Sequence, residues 1–503
     1  MLYTIIMKNA GTGYFRLAAG VLTVFFLTLT ACMSKSVAVT GIALEKDALS
    51  LTIGASEKLN YTVTPSQASG ISVTWTSSNP NIVSVSDDGI VTALRFSRGG
   101  GNSFVSGAST SAATVTVKIT GGKLEDTITV NATMEALVDM MTLPPMKDQF
   151  SDYFLIGNIF NPDDIAANGS SVTNARLNRH YNILTPENFM KPGYLAPDRW
   201  YGGEIEYDFF MADDMVNAAI ASGFKVHGHT LLWHSQNASW MNQMAKESRE
   251  TALAAMKEYI TTVVRHFAGR IYSWDVLNEV FPDGVSFSSD WTKVMRNAGD
   301  SQAANPWYAA IGPDFVYEGY LAARLADPKV ILYYNDYNTD QPGKAAMIRD
   351  MVRDVNARYA TAYPNANRLL IEGIGMQEHH NTGVSAARIK ATLDLFRPLG
   401  VRISVAELDV LGQGWGSFSS VGSGTNKHDI STVTNQGLWD QARLYGEYFD
   451  LYLENSDIIE RVSQWGVIDS QSWRSAGLPL LFDPDGRAKP AYYSVIRALE
   501  KRQ

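Results

Sequence analysis

The chain has 503 residues, 45% hydrophobic and 18% charged, with a formal net charge of −9, the composition of a soluble globular protein long enough for a large barrel and an accessory module. No strongly basic stretch offers a footprint for phosphates, which disfavours a nucleic-acid partner. A single cysteine excludes an intrachain disulfide and any multi-cysteine metal site, while 11 Trp and 23 Tyr exceed what a core needs and suit flat, hydrogen-bonding ligands such as sugar rings.

Residues 1–31 read as an export signal, because Lys8 and Arg16 precede a continuous apolar run from Leu17 to Ala31 that is too short to span a bilayer comfortably. The end of that run, Leu29-Thr30-Ala31-Cys32, resembles a bacterial lipobox. The resemblance implies that Cys32 becomes the lipidated first residue of a lipoprotein held at a membrane of the cell envelope, expected to be the outer one, without a spanning helix. The alternative is a signal-peptide cysteine removed on export.

From 37 to 133 the chain is rich in Ser, Thr, Val and Gly, with alternating runs such as Leu49-Ser50-Leu51-Thr52-Ile53 and Val73-Thr74-Trp75-Thr76. Turn signals at Thr64-Pro65-Ser66, Ser78-Asn79-Pro80 and Asp87-Asp88-Gly89 separate them, as in an all-β sandwich. The segment resembles a bacterial immunoglobulin-like domain of the second group, departing from it at the Gly/Ser-rich stretch Arg95 to Ser111. Fold alone assigns such a domain no function, and a spacer role is the simplest expectation.

A second domain, 137–503, is approached through Pro144-Pro145. Eight short apolar segments follow: Phe154 to Phe160, Asn182 to Thr185, Lys225 to Trp233, Ile271 to Asn278, Val330 to Asn335, Gly373 to Gln377, Arg402 to Glu407 and Val462 to Val467. Helical periodicity between them is clearest over Phe209 to Ser222, Lys344 to Tyr359, Ala386 to Leu399 and Gln436 to Asn455. Eight βα units in series predict a parallel (β/α)8 barrel of the α/β class.

In such a barrel reactive groups sit where strands end and βα loops begin, and the polar residues gather there. Strand two ends in Thr185-Pro186-Glu187-Asn188, strand three in His229 to His234, strand four in Asn278-Glu279, strand five in Asn335-Asp336-Tyr337-Asn338, strand six in Gln377-Glu378-His379, strand seven in Glu407-Leu408-Asp409 and strand eight in Trp465. Carboxylates, amides and tryptophans without a phosphate-cradling glycine loop suit a neutral polyol. Glycosidic cleavage needs two carboxyl groups, one protonated for the leaving oxygen and one ionised. Glu279 and Glu407 are the best pair, since each closes an apolar strand. Strands four and seven lie across the barrel mouth from one another, so a gap of about 5–5.5 Å between the two carboxyls, too narrow for an intervening water, is expected, and with it direct attack by one of them and net retention of configuration.

The motifs WDVLNE (Trp274 to Glu279) and VAELDV (Val405 to Val410) resemble the acid/base and nucleophile motifs of glycoside hydrolase family ten, the endo-xylanases. LTPENFMK, GHTLLWHSQ, YNDYN, GIGMQEHH and WGVIDSQSW support the resemblance. It implies an endo-β-1,4-xylanase acting on xylan and xylo-oligosaccharides, without cofactor or metal. Glu279 would be the acid/base and Glu407 the nucleophile, with His379 orienting Glu407 and Asp409 supporting His379. It further implies that His229, Asn278, Gln377 and Tyr337 surround the sugar, that Trp233, Trp465 and Trp473 wall it, and that Glu187, Asn188 and Lys191 bind the next sugar on the non-reducing side. Phe189 and Pro192 depart from the family's usual residues around Lys191, and Gly412 to Asn435 lengthens the loop after strand seven.

Other readings stay open on the residues. His227, His229 and His234 could form a metal cluster, although the surrounding motif fits a sugar site better. Strand alternation expects Asp275 and Glu378 to face away from the site as structural polar residues. Asp336 is expected to support its loop. Trp75, Trp240, Trp291, Trp307 and Trp415 read as packing residues. A different β-1,4-glycan as substrate, or a non-catalytic glycan-binding lipoprotein, are the rival functions.

Overall fold

The structure is a computed structural model that describes residues 38–52, 55–68, 70–80, 82–93, 109–134, 138–165, 171–200, 203–296, 304–413, 433 and 435–502. Cys32, Trp415 and most of the Arg95 to Ser111 stretch lie outside the described residues.

The N-terminal part is a small all-β sandwich. Four strands pair in the order Ala48–Thr52, Glu125–Met134, Ser109–Ile119 and Val73–Ser77, and three more in the order Ser56–Lys58, Ile90–Ala93 and Val83–Val85. Alternation in Ala48–Thr52 buries Leu49 and Leu51 against Val83, Val91, Val115, Ile128 and Val130, while the polar residues between them face outward. Trp75 packs against this core and meets Tyr61 edge-on, as the sequence suggests.

The second part is a closed parallel barrel. Its strands are Leu155–Phe160, Ile183–Pro186, Lys225–Leu232, Ser273–Asn278, Ile331–Asp336, Gly373–Met376, Arg402–Leu411 and Ile459–Gln464. Each pairs in parallel with the next, and the eighth pairs back onto the first. The eight segments read from sequence are these eight, with boundaries that agree to within two residues except in strands seven and eight. Strand eight starts three residues before the expected position because its first half carries the charged Glu460 and Arg461, which hid it from an apolar reading. Glu460 accepts from Tyr272 Oη at 2.6 Å, and Arg461 Nε donates to Ser404 Oγ at 2.5 Å. Strand seven runs on to Leu411, and its extension pairs in parallel with the short strand His379–Asn381.

The outer helices follow from their apolar spacing. Arg249–His266 is capped by Ser248 and buries Ala252, Ala255, Met256, Tyr259, Ile260, Val263 and Val264 on one stripe. Ala386–Phe396 buries Ile389, Leu393 and Phe396 in the same way, each worth about 1.5–3 kcal/mol of burial.

Candidate active site

A cleft of about 650 Å³ opens at the C-terminal ends of the barrel strands. It is lined by Glu187, Lys191, His229, Trp233, Asn278, Glu279, Tyr337, Gln377, His379, Glu407, Trp465 and Trp473, all expected from sequence. Ser235, Gln236, Asp283, Asn338 and Arg474 line it as well. Asn188, expected to contact sugar, and Asp409, expected to support His379, are not part of this lining. Asn188 Oδ1 accepts from Lys191 Nζ at 3.0 Å, and Asp409 is fully buried beneath His379.

Glu279 is the first residue past strand four and holds a left-handed backbone, φ 56°. Such a conformation costs a non-glycine residue roughly 1–3 kcal/mol, so the surroundings must impose it. Here the Glu279 N–H donates to the Asn335 carbonyl at 2.9 Å, and Arg296 Nε donates to the Glu279 carbonyl at 2.9 Å. The turn aims the carboxylate into the cleft, where Oε2 accepts from Trp233 Nε1 at 2.9 Å and Oε1 from Gln377 Nε2 at 2.9 Å.

Glu407 lies within strand seven and faces the barrel interior. Its Oε1 accepts from Asn335 Nδ2 at 2.7 Å, and its Oε2 lies 3.1 Å from His379 Nε2. The strand pairing that places His379 opposite Asp409 sets His379 Nδ1 2.9 Å from Asp409 Oδ2, and the other Asp409 oxygen pairs with Arg474. Burial alone would lower the His379 pKa, but Asp409 and Glu407 raise it to about 9. Burial would likewise raise the Glu407 carboxyl; the His379 hydrogen bond, the charges of His229 and His379 and the Asn335 amide hold it below the usual range. The environment thus keeps Glu407 ionised beside an imidazolium.

The Asn278 amide lies 3.1 Å from the Asn335 amide and 3.2 Å from the Gln377 amide, and this chain joins the two carboxylates. Gly375 makes room for this: a Cβ there would collide with the Asn335 amide oxygen. On the far side Lys191, held at the start of the Pro192–Leu195 turn, sits 5.2 Å over the Trp233 ring. Burial lowers its pKa against the raising charges of Glu407, Glu187 and Glu279. The unusual Phe189 packs on Tyr194, ring centroids 4.9 Å apart, and Pro192 opens that turn, while Lys191 lines the cleft.

Trp465 is 7% exposed and meets His229 edge-on at 5.6 Å, whereas Trp473 is 55% exposed beside His379 at 5.2 Å. Arg474 follows Trp473 directly in the WGVIDSQSWR stretch, a position from which sequence reasoning could have found it. No pattern in the sequence marks Arg296.

Asp275 requires a correction. Alternation expects it to face away, but a bulge in strand four between Asp275 and Leu277 keeps it inside the barrel, where it accepts from His229 Nδ1 at 2.9 Å and lies 2.9 Å from His227 Nε2. The interior histidines are therefore joined by one carboxylate. His234, 3.8 Å from Glu279, completes no metal cluster, and none is found among the described residues. Glu378 does face away, bonding His380 and Tyr452. Asp336 supports its loop, pairing with Lys344 at 2.7 Å and accepting from the Tyr337 N–H at 2.9 Å. Trp240 and Trp307 are buried packing residues, and Trp291 Nε1 donates to Asp354 at 3.0 Å.

Two carboxylates flanking a tryptophan-walled groove, at the mouth of a parallel barrel, form a glycosidase arrangement. Residues 145–498 match the model of glycosyl hydrolase family 10. The chain belongs to that family. Residues 38–99 match the bacterial Ig-like domain (group 2). Among relatives, an endo-1,4-beta-xylanase of Geobacillus stearothermophilus is 31% identical over 366 residues, covering 71% of this chain and 98% of the relative. The exoglucanase XynX of Acetivibrio thermocellus is 35% identical over 367 residues, 70% of this chain and 29% of its own length. The chain spans about three tenths of the length of several such long relatives. The crystal structure of a bacterial Ig-like domain containing GH10 xylanase from termite gut is 54% identical, with a TM-score of 0.72, covering 90% of this chain and 98% of that one.

Proposed function

We propose that the protein is a retaining endo-β-1,4-xylanase that hydrolyses internal bonds of xylan and xylo-oligosaccharides. The observation that carries this reading is the unequal setting of the two glutamates. Glu407 is buried, ionised and fixed by His379 and Asn335, so it is equipped to attack the anomeric carbon. Glu279 is held by Trp233 and Gln377 at the edge of the cleft, where its proton can reach the leaving oxygen. Water then opens the glycosyl-enzyme with Glu279 as base, and two inversions leave the β-configuration.

Proton NMR of the first products from xylohexaose, read before mutarotation, tests this directly. The β-anomer should appear first; an initial α-anomer would sink the assignment of Glu407. Reducing-sugar release from xylan separates the enzyme from a non-catalytic glycan binder.

A second substrate reading, another β-1,4-glycan, is favoured by the 35% identical exoglucanase relative. Trp473 at the cleft would crowd the hydroxymethyl of glucose, which favours xylan. Initial rates on the two polymers decide between them.

The same reading includes export and anchoring through lipidated Cys32 in the cell envelope, expected at the outer membrane. A Cys32→Ser protein made in its own type of cell should move from the membrane fraction to the soluble one; unchanged membrane retention would refute the anchor.

A further inference from the structure

The helix Asn435–Glu454 follows the lengthened loop after strand seven and touches two parts of the molecule at once. Gln441 Nε2 donates to the carbonyls of Val410 and Leu478, each at 2.6 Å, and Tyr445 Oη donates to the Pro479 carbonyl at 2.7 Å. Leu438, Val433 and Leu478 form a small apolar cluster, and Gly412 N–H donates to the Gly477 carbonyl at 2.8 Å. These contacts hold the segment Ser475 to Pro479, which follows directly on Trp473 and Arg474 at the cleft.

Between Leu438 and Gln441 stands Trp439. It packs against the barrel core and also against the core of the sandwich, and among the described residues it is the one hydrophobic side chain shared by both. Successive helix residues point about 100° apart, so one rigid turn presents Leu438 to the cleft loop and Trp439 to the sandwich. A large aromatic side chain supplies much of the contact a small interface needs. The two domains are joined in one chain, and a short connection gives an effective concentration of about millimolar, so a weak contact suffices to keep them docked.

We infer that the sandwich is docked on the barrel at Trp439 and, through the helix turn of Leu438 and Gln441, braces the loop that carries Trp473 and Arg474. Trp439 is then a positioning residue, and the sandwich is a brace of the cleft wall. The effect on the cleft rests on the proposed xylanase activity, whereas the docking itself does not.

The test uses the full chain with two variants, Trp439→Ala at the contact and Leu51→Ala inside the sandwich core. Small-angle scattering should show a narrow interdomain distance distribution for the wild type and a broadened one for Trp439→Ala. Its KM for xylohexaose should rise about 3–10-fold with kcat within twofold. Leu51→Ala should raise KM in the same direction, because it loosens the brace without touching the barrel. Unchanged scattering in Trp439→Ala overturns the docking, and unchanged KM in that variant overturns the brace. If Trp439→Ala does not fold, Leu51→Ala decides: an unchanged KM and an unchanged barrel unfolding transition overturn the proposal. Absence of hydrolysis in the wild type would refute the proposed activity and leave the scattering result standing.

Discussion

Arg296 donates through Nε to the main-chain carbonyl of Glu279 at 2.9 Å and through Nη2 to the Tyr337 hydroxyl at 2.6 Å. One guanidinium thus pins the strained backbone of the acid/base candidate and a residue of the cleft wall. Its planar fork suits this double duty, which an ammonium cannot copy.

Arg296→Met should therefore let the Glu279 turn relax and misplace its proton. General acid catalysis contributes about 10²–10⁴-fold, and a displaced acid should lose roughly tenfold or more of kcat on xylan. An aryl xyloside with a good leaving group needs little protonation and should lose far less. Equal losses on both substrates would argue that Arg296 only maintains the fold.

His379 is expected to stay cationic up to about pH 9 because Asp409 and Glu407 outweigh its burial. Its folded pKa lies above the unfolded value, so its contribution to stability is fully present below about pH 6.5 and is lost as pH rises through about 9. His379→Asn should flatten the fall of the urea midpoint across that window. It should also move the acid limb of kcat/KM upward, since Glu407 loses the hydrogen bond that lowers its pKa. An acid limb that stays in place would mean that Glu407 is held ionised by other groups.

Gly375→Ala places a methyl where the Asn335 amide oxygen lies. Asn335 must then turn away from Glu407, which it contacts at 2.7 Å. The expected outcome is a loss of kcat of about 10–100-fold, the size of one lost charge-assisted hydrogen bond of about 1.5–3 kcal/mol, with thermal unfolding little changed. A wild-type rate would show that the amide is dispensable.

Lys344 and Asp336 form a fully buried pair at 2.7 Å under Tyr337. Burial pushes Asp336 up to about 6 even with Lys344 beside it. Lys344→Met leaves that carboxyl without its cation and should cost about 3–5 kcal/mol in urea unfolding. A loss under 1 kcal/mol would mean that Asp336 is neutral in the folded protein.

The sequence by itself determined the domain order, the eight barrel strands and the two glutamates, because these depend on local signals: apolar runs of strand length, turn residues between them, and polar groups where strands end. It also found His379, Asp409 and the tryptophans, through motifs that are contiguous in the chain. Tertiary structure decided what depends on register and on distant chain meeting chain. The strand-four bulge turned Asp275 inward to His229, the polar start of strand eight appeared only through its pairing, and Arg296 was placed under Glu279 from 17 residues away. Trp439 became a contact between domains for the same reason. Hydrophobic periodicity tells which face of an element is covered, but what covers it is fixed only when the whole chain closes.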